Sequence, residues 1–105
     1  MVIEIVAENF EKEINKSDKP VVLDIFATWC GPCQQMAPVF EELSKEMIAY
    51  KFAKINIDDQ RDLAIKYQVS SIPTFIFIKN GQVVARETGY MNKASLKNKI
   101  EEKLK

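Results

Sequence analysis

The sequence contains no histidine, and its 105 residues include only two cysteines and three glycines. Without histidine, the chain can form no His-dependent triad, proton relay or imidazole metal site. Two cysteines are too few for a small scaffold held together by disulfides. The 47% hydrophobic content is typical of a globular domain with a hydrophobic core, and it excludes a disordered tail. We therefore expect one domain that spans residues 1–105.

Long apolar runs and an excess of charge of one sign are also missing. No segment approaches the roughly 20 apolar residues of a transmembrane helix, and Met1 to Glu4 do not begin a signal peptide. Fifteen Lys and Arg balance fifteen Asp and Glu. This balance disfavours a nucleic-acid-binding protein, because no positive surplus is present to neutralise phosphates. We expect a cytoplasmic protein that binds neither membranes nor nucleic acid.

The hydrophobic pattern predicts alternating strands and helices. Residues 21–27 are almost continuously apolar, which indicates a strand buried on both faces. Asn80-Gly81 lies between two strand-like runs and predicts a tight hairpin. Asp58 or Asp59 is predicted to cap the helix that precedes the hairpin. The order β-α-β-α-β-α-β-β-α predicts an α/β fold, with a mixed sheet between helices and an antiparallel pair at its end.

The motif Trp29-Cys30-Gly31-Pro32-Cys33 lies between the buried strand and the start of a long predicted helix. A helix N-terminus offers free backbone N–H groups and the positive end of the helix dipole, and both favour a thiolate over a thiol. We therefore predict that Cys30, at the exposed edge, is the nucleophile and that Cys33, one turn further in, is the resolving cysteine. Trp29, on a loop beside this nucleophile, is interpreted as part of a docking surface.

Three other interpretations of the cysteine pair are weaker. A zinc site needs about four N or S ligands, whereas this chain offers two cysteines, so we expect no bound metal. A structural disulfide between Cys30 and Cys33 would close a ring too small to restrict the unfolded chain much. Two inert core cysteines would leave the Gly-Pro between them and the adjacent helix start unexplained. Redox chemistry is therefore the favoured interpretation.

Asp24 is the one charged residue within the apolar strand. Burial of a carboxylate disfavours its charged form, so we expect a raised pKa. Because the helix must fold back over the strand that precedes it, we predict that Asp24 accepts a proton from Cys33. The alternative is a polar residue whose hydrogen bonds are satisfied at the end of the strand. Lys54, on the neighbouring predicted strand, either modulates Asp24 or is an ordinary solvated lysine.

These residues together resemble the thioredoxin family over essentially the whole chain. The matching stretches are Asp24–Cys33, Ala37-Pro38, Ala53–Asp58, Ser71–Thr74, Lys79–Gly81 and Thr88-Gly89. The resemblance implies a mixed central sheet of about five strands between about four helices. It also implies an electron carrier that reduces protein disulfides, is re-reduced by thioredoxin reductase, works as a monomer and uses only its own Cys30–Cys33 disulfide as a redox group.

The resemblance further assigns residues to the site. It implies a cis peptide bond before Pro73, with this proline against the cysteines, and it makes Asp24 the buried carboxylate and Lys54 its neighbour. The apolar docking surface that it implies consists of Trp29, Gly31, Pro32, Ile72, Pro73 and Gly89. Three residues depart from the family pattern: Phe26 replaces the usual Trp, Gln34 a common Lys, and Tyr90 a small residue.

Two other functional classes stay open at this point. In a binding module the fold would serve a larger assembly and the cysteines would be dispensable. An oxidising or isomerising enzyme of an exported compartment would share the motif, but the absence of a readable signal segment argues against it. Pro32 between the cysteines, rather than His, points by family resemblance to a reducing member.

Overall fold

A five-stranded mixed sheet forms the centre of the protein in the computed structural model, which describes residues 1–105. The strands are β1 (Val2–Glu4), β2 (Val21–Phe26), β3 (Lys51–Asn56), β4 (Thr74–Lys79) and β5 (Gln82–Thr88). Their spatial order is β1-β3-β2-β4-β5, with β3 parallel to β1 and β2. Strand β4 is antiparallel to both β2 and β5. The predicted mixed sheet and its antiparallel end are confirmed.

Helices cover both faces of this sheet. They are α1 (Ala7–Phe10), α2 (Gly31–Glu46), α3 (Arg61–Lys66) and α4 (Lys93–Lys103), and α1 continues into a π-helical turn over Glu11–Asn15. This order matches the predicted alternation of elements, and the count of four helices is confirmed. No helix combines the length and the hydropathy that a membrane span would need.

Strand β2 separates two hydrophobic clusters because its successive side chains point to opposite faces. Leu23 and Ile25 belong to the cluster that also holds residues of α1, the π-helical turn and α3. Val22 belongs to the other cluster, which holds the apolar stripes of α2 and α4. Asp24 follows the same alternation as Val22 and therefore lies on the side of the sheet that α2 covers. Residues 21–25 are all buried, which confirms the prediction of a strand buried on both faces.

The predicted helix cap before α3 is wrong. The residue that precedes this helix is Gln60, and no side chain caps its first N–H groups. Asp58 instead accepts a hydrogen bond from the indole N–H of Trp29 at 3.0 Å. Local sequence favoured an acidic cap, but the tertiary contact with Trp29 engages this carboxylate three residues before the helix begins at Arg61.

The hairpin between β4 and β5 turns at Asn80 and Gly81, as predicted, and both residues have positive φ angles of 54° and 77°. A Cβ atom added at Gly81 would lie 3.1 Å from the carbonyl oxygen of Asn15. Glycine is therefore required here for two reasons, since an L side chain is disfavoured at this φ and the backbone of the π-helical turn lies close by.

We predict that Gly81→Ala destabilises the protein by about 1–2 kcal/mol, through the cost of a left-handed conformation and the close contact with Asn15. Gly31→Ala is the matched control, because its φ is not positive and nothing lies within 4 Å of an added Cβ. It should leave stability unchanged or raise it by about 0.4–1 kcal/mol. Equal effects of the two variants in urea unfolding would show that neither φ nor the Asn15 contact requires glycine at this turn.

Candidate redox site

The redox motif occupies the connection between β2 and α2. Cys30 is the N-cap of α2, with an extended backbone, and Gly31 and Pro32 form the first helical positions. Proline is well tolerated there because the first N–H groups of a helix have no intrahelical acceptor. The end of the buried strand and the start of the helix thus fix the position of the cysteine backbone.

Cys30 and Cys33 are joined by a disulfide, with their Cα atoms 5.2 Å apart. The backbone N–H of Cys33 donates a hydrogen bond to Cys30 Sγ at 3.2 Å. This N–H group and the positive end of the α2 dipole would also stabilise a thiolate on Cys30 in the reduced protein. The predicted nucleophile therefore lies where a helix N-terminus favours negative charge.

The two sulfur atoms have different surroundings, although both cysteines are nearly buried in the disulfide form. The exposed fraction is 6% for Cys30 and 3% for Cys33. Although we predicted Cys30 at an exposed edge, it has little exposed surface in the disulfide form. Cys30 Sγ lies 3.9 Å from the carbonyl oxygen of Ile72. Cys33 lines a small, partly open cavity of about 80 Å³ together with Asp24. Cys30 thus faces the Ile72 loop, and Cys33 faces the cavity that Asp24 lines.

Asp24 is 5% exposed, and its Oδ1 atom has no hydrogen-bond partner. Burial raises the pKa of this carboxyl to about 7, against an ordinary value of 3.8, and the Lys54 ammonium lowers it by a smaller amount. The interpretation of Asp24 as a satisfied polar residue therefore does not fit Oδ1. A carboxyl that titrates near neutrality and shares a cavity with Cys33 can hold or release a proton there.

Lys54 is paired in register with Asp24 across β2 and β3 and lines the same cavity. The two side chains do not form a salt bridge. The Lys54 ammonium lies 5.8 Å from the centre of the Phe26 ring. Phe26, which replaces the tryptophan usual in the family pattern, therefore provides an aromatic face for the lysine beside the cavity.

The residues of the predicted docking surface lie around the disulfide but differ in exposure. Trp29 is 67% exposed. Gly31 and Pro32 are exposed, Ile72 and Gly89 are half-buried, and Pro73 is buried. The Ile72–Pro73 peptide bond is cis, as the resemblance implied. The Gly89 N–H donates to the Pro73 carbonyl oxygen at 2.9 Å, which holds the end of β5 against this loop.

Two contacts of the motif were not predicted. One is the Trp29–Asp58 hydrogen bond described above, and the other joins the Gln34 side-chain amide to the Thr28 carbonyl oxygen at 2.6 Å. Trp29 and Ile72 also border an open groove of about 430 Å³ that continues along α3 past Ile65. No local sequence signal identifies these contacts. The fold brings Trp29 and Asp58 together, and the start of α2 brings Gln34 to Thr28.

The site contains no evident place for a metal. Three or more His, Cys, Asp or Glu side chains do not come together anywhere in the chain as such a site would require. The arrangement offers instead one disulfide, one buried carboxyl and one lysine. These groups are suited to thiol–disulfide exchange with a proton acceptor beneath it.

We predict that Asp24→Asn makes the oxidised protein more stable than the wild type near pH 8. Between the unfolded pKa near 3.8 and the folded pKa of about 7, the folded wild type binds more protons than the unfolded chain. Its stability therefore falls as pH rises through this window, by roughly 3–5 kcal/mol relative to the variant. Urea unfolding from about pH 4 to about pH 8 measures the difference, with Asp59→Asn, an exposed carboxyl, as the control. Parallel pH profiles of wild type and Asp24→Asn would refute it.

Comparison with known proteins agrees with this geometry. A model of the thioredoxin family matches residues 1–102. A thioredoxin of Haemophilus influenzae is 44% identical over 100 residues, which cover 94% of each chain. Thioredoxin-2 of Saccharomyces cerevisiae is 42% identical over 90% of this chain and 89% of its own. A bifunctional thioredoxin reductase/thioredoxin of Mycobacterium leprae is 41% identical over 91% of this chain and 21% of its own length. The chain therefore belongs to the thioredoxin family of thiol–disulfide oxidoreductases.

Proposed function

We propose that this protein reduces disulfides in target proteins through a Cys30/Cys33 dithiol–disulfide cycle and is re-reduced by a thioredoxin reductase. The observation that carries this proposal is the asymmetric disulfide at the start of α2. Cys30 Sγ faces the Ile72 loop at 3.9 Å, whereas Cys33 shares a small, partly open cavity with Asp24. This asymmetry supports the assignment of Cys30 as the sulfur that meets a partner and of Cys33 as the sulfur that loses a proton to Asp24.

In the first step the Cys30 thiolate attacks one sulfur of the target disulfide. A Cys30–target disulfide forms, the target S–S bond breaks, and the second target sulfur leaves as a thiolate that takes up a proton from water. The Cys33 N–H, 3.2 Å from Cys30 Sγ in the oxidised form, favours the thiolate that begins this step. We propose that the docking surface binds the target segment around its disulfide. This surface consists of Trp29, Gly31, Pro32, Ile72, Pro73 and Gly89.

In the second step Cys33 resolves the mixed disulfide. Asp24 accepts the Cys33 proton, and the resulting thiolate attacks Cys30 Sγ and releases the reduced target. Two electrons leave the protein, and the Cys30–Cys33 disulfide is regained. Because the pKa of Asp24 is about 7, its carboxyl can both accept this proton and return it near neutral pH. Lys54 is proposed to tune Asp24 from the adjacent strand.

A reductase must return two electrons to Cys30 and Cys33 after each turnover. The Mycobacterium leprae relative, whose name joins a thioredoxin reductase to a thioredoxin, supports such a partner. We propose further that the protein acts as a monomeric electron carrier in the cytoplasm, as one domain of residues 1–105, with no redox group besides its cysteine pair.

The function is tested by insulin-disulfide reduction. We predict that the wild type reduces insulin and that Cys30→Ser abolishes the reaction, because the attacking sulfur is removed. Cys33→Ser should accumulate a stable adduct joined through Cys30, since the resolving thiol is missing. Nonreducing electrophoresis and peptide mapping identify that bond. Retained activity in Cys30→Ser, or an adduct joined through any other residue, would overturn the assignment of roles.

We predict that Asp24→Asn slows the resolution step at pH 7 by at least about 10-fold, as expected for loss of a general base. Adduct formation by Cys33→Ser should be little changed by adding Asp24→Asn, because attack by Cys30 does not use this carboxyl. Single-turnover quench experiments separate the two steps, and Asp59→Asn again serves as the control. Equal resolution rates in Asp24→Asn and wild type would show that Cys33 loses its proton by another route.

A further inference from the structure

Gln34 makes a hydrogen bond that closes the turn carrying the redox motif. This residue lies in the first turn of α2, directly after Cys33, and its side chain is exposed. Its Nε2–H donates to the carbonyl oxygen of Thr28 at 2.6 Å. Residues 28 to 34 therefore form a loop that a side-chain contact closes, with Trp29 and Cys30 inside it.

Trp29 depends on such polar contacts for its position. Its side chain is 67% exposed, so core packing fixes little of it. The indole N–H donates to Asp58 at 3.0 Å, which holds the ring from the side of α3. The Gln34 contact holds the backbone on the other side, at the peptide unit that joins Thr28 to Trp29. The ring is thus anchored from the turn before α3, and its backbone is anchored from the first turn of α2.

We propose that Gln34 is a positioning residue that holds Trp29 in place for the docking of disulfide-containing proteins. This inference rests on the proposed function, since docking precedes attack by Cys30. The carbonyl of Thr28 and the indole of Trp29 belong to adjacent residues. Loss of the hydrogen bond from Gln34 to this carbonyl therefore also makes the indole ring more mobile. A preorganised ring costs less conformational entropy when a partner binds against it.

The same geometry separates Gln34 from the chemistry of the sulfur. The groups that stabilise a Cys30 thiolate are the Cys33 N–H and the positive end of the α2 dipole, both of which belong to the backbone. The Gln34 side chain instead donates its hydrogen bond to the Thr28 carbonyl oxygen. Loss of the Gln34 amide should therefore impair docking while the titration of Cys30 keeps its midpoint. If Gln34 instead acted on the charge of Cys30, its loss would shift the midpoint of the Cys30 titration and leave docking unchanged.

The test compares Gln34→Met with Gln35→Met. Methionine keeps the length and neutrality of glutamine but removes the N–H donor. Gln35 is also exposed, lies on the same helix and makes no side-chain hydrogen bond, so it is a matched control. Because Trp29 is the only tryptophan, its fluorescence anisotropy reports on this ring alone. We expect lower anisotropy and an increase in KM for insulin of about 2- to 10-fold in Gln34→Met, the range for loss of one hydrogen bond.

Gln34→Lys provides the rescue, because a lysine ammonium can donate to the same carbonyl oxygen and should restore the anisotropy. Iodoacetamide alkylation against pH should give the same Cys30 midpoint in wild type and Gln34→Met. Unchanged anisotropy in Gln34→Met, a shifted Cys30 midpoint in that variant, or no recovery in Gln34→Lys would overturn the proposal. Failure of the wild type to reduce insulin would instead refute the proposed function, while the anisotropy still shows whether Gln34 holds Trp29.

Discussion

The packing of α2 across strand β2 is the contact on which the redox site depends. Strand β2 is buried on both faces, and α2 contributes Met36, Phe40 and Leu43 to the cluster on one of them. This packing directs the start of α2 to the end of β2 and brings Cys33 to the cavity that Asp24 lines. The same contact that forms half of the core therefore places a carboxyl beneath a reactive disulfide.

This arrangement has a cost for folding. Asp24 is buried with an unpartnered Oδ1 atom, and burial of a polar group without a hydrogen bond is unfavourable. Its pKa of about 7 is the direct result, since desolvation outweighs the attraction of Lys54. An apolar residue would pack there more favourably, but it could not accept the proton that Cys33 loses in the proposed mechanism. The unfavourable burial and the proposed function have the same physical origin.

The three departures from the family pattern have distinct surroundings. Phe26 lies beneath the Lys54 ammonium, so its ring contacts the lysine that lines the cavity of Asp24. Gln34 joins Thr28 across the redox turn and carries no charge. Tyr90 is 52% exposed and follows Gly89, whose N–H is bound to Pro73. None of the three replaces a cysteine or Asp24, so each alters the surroundings of the redox pair rather than the pair itself.

The sequence by itself determined the order of elements, the two-sided burial of β2, the hairpin at Asn80-Gly81 and the motif at the start of α2. These features follow from local patterns, namely hydrophobic periodicity, turn residues and cysteine spacing. It also indicated that a carboxylate at position 24 would titrate abnormally, because a charge within an apolar strand must be desolvated. Family resemblance, rather than any of these patterns, pointed to the cis bond before Pro73.

Tertiary structure alone decided which distant groups meet. Asp58, predicted as a helix cap, accepts a hydrogen bond from Trp29, which lies 29 residues earlier in the sequence. The carbonyl of Ile72 approaches Cys30 Sγ across 42 positions, and Oδ1 of Asp24 is left without a partner. Contacts of this kind depend on how strands align and how helices cross the sheet. A local pattern carries no information about them, because the same residue can make its hydrogen bond to a neighbour or to a distant side chain, and only the packed chain selects between them.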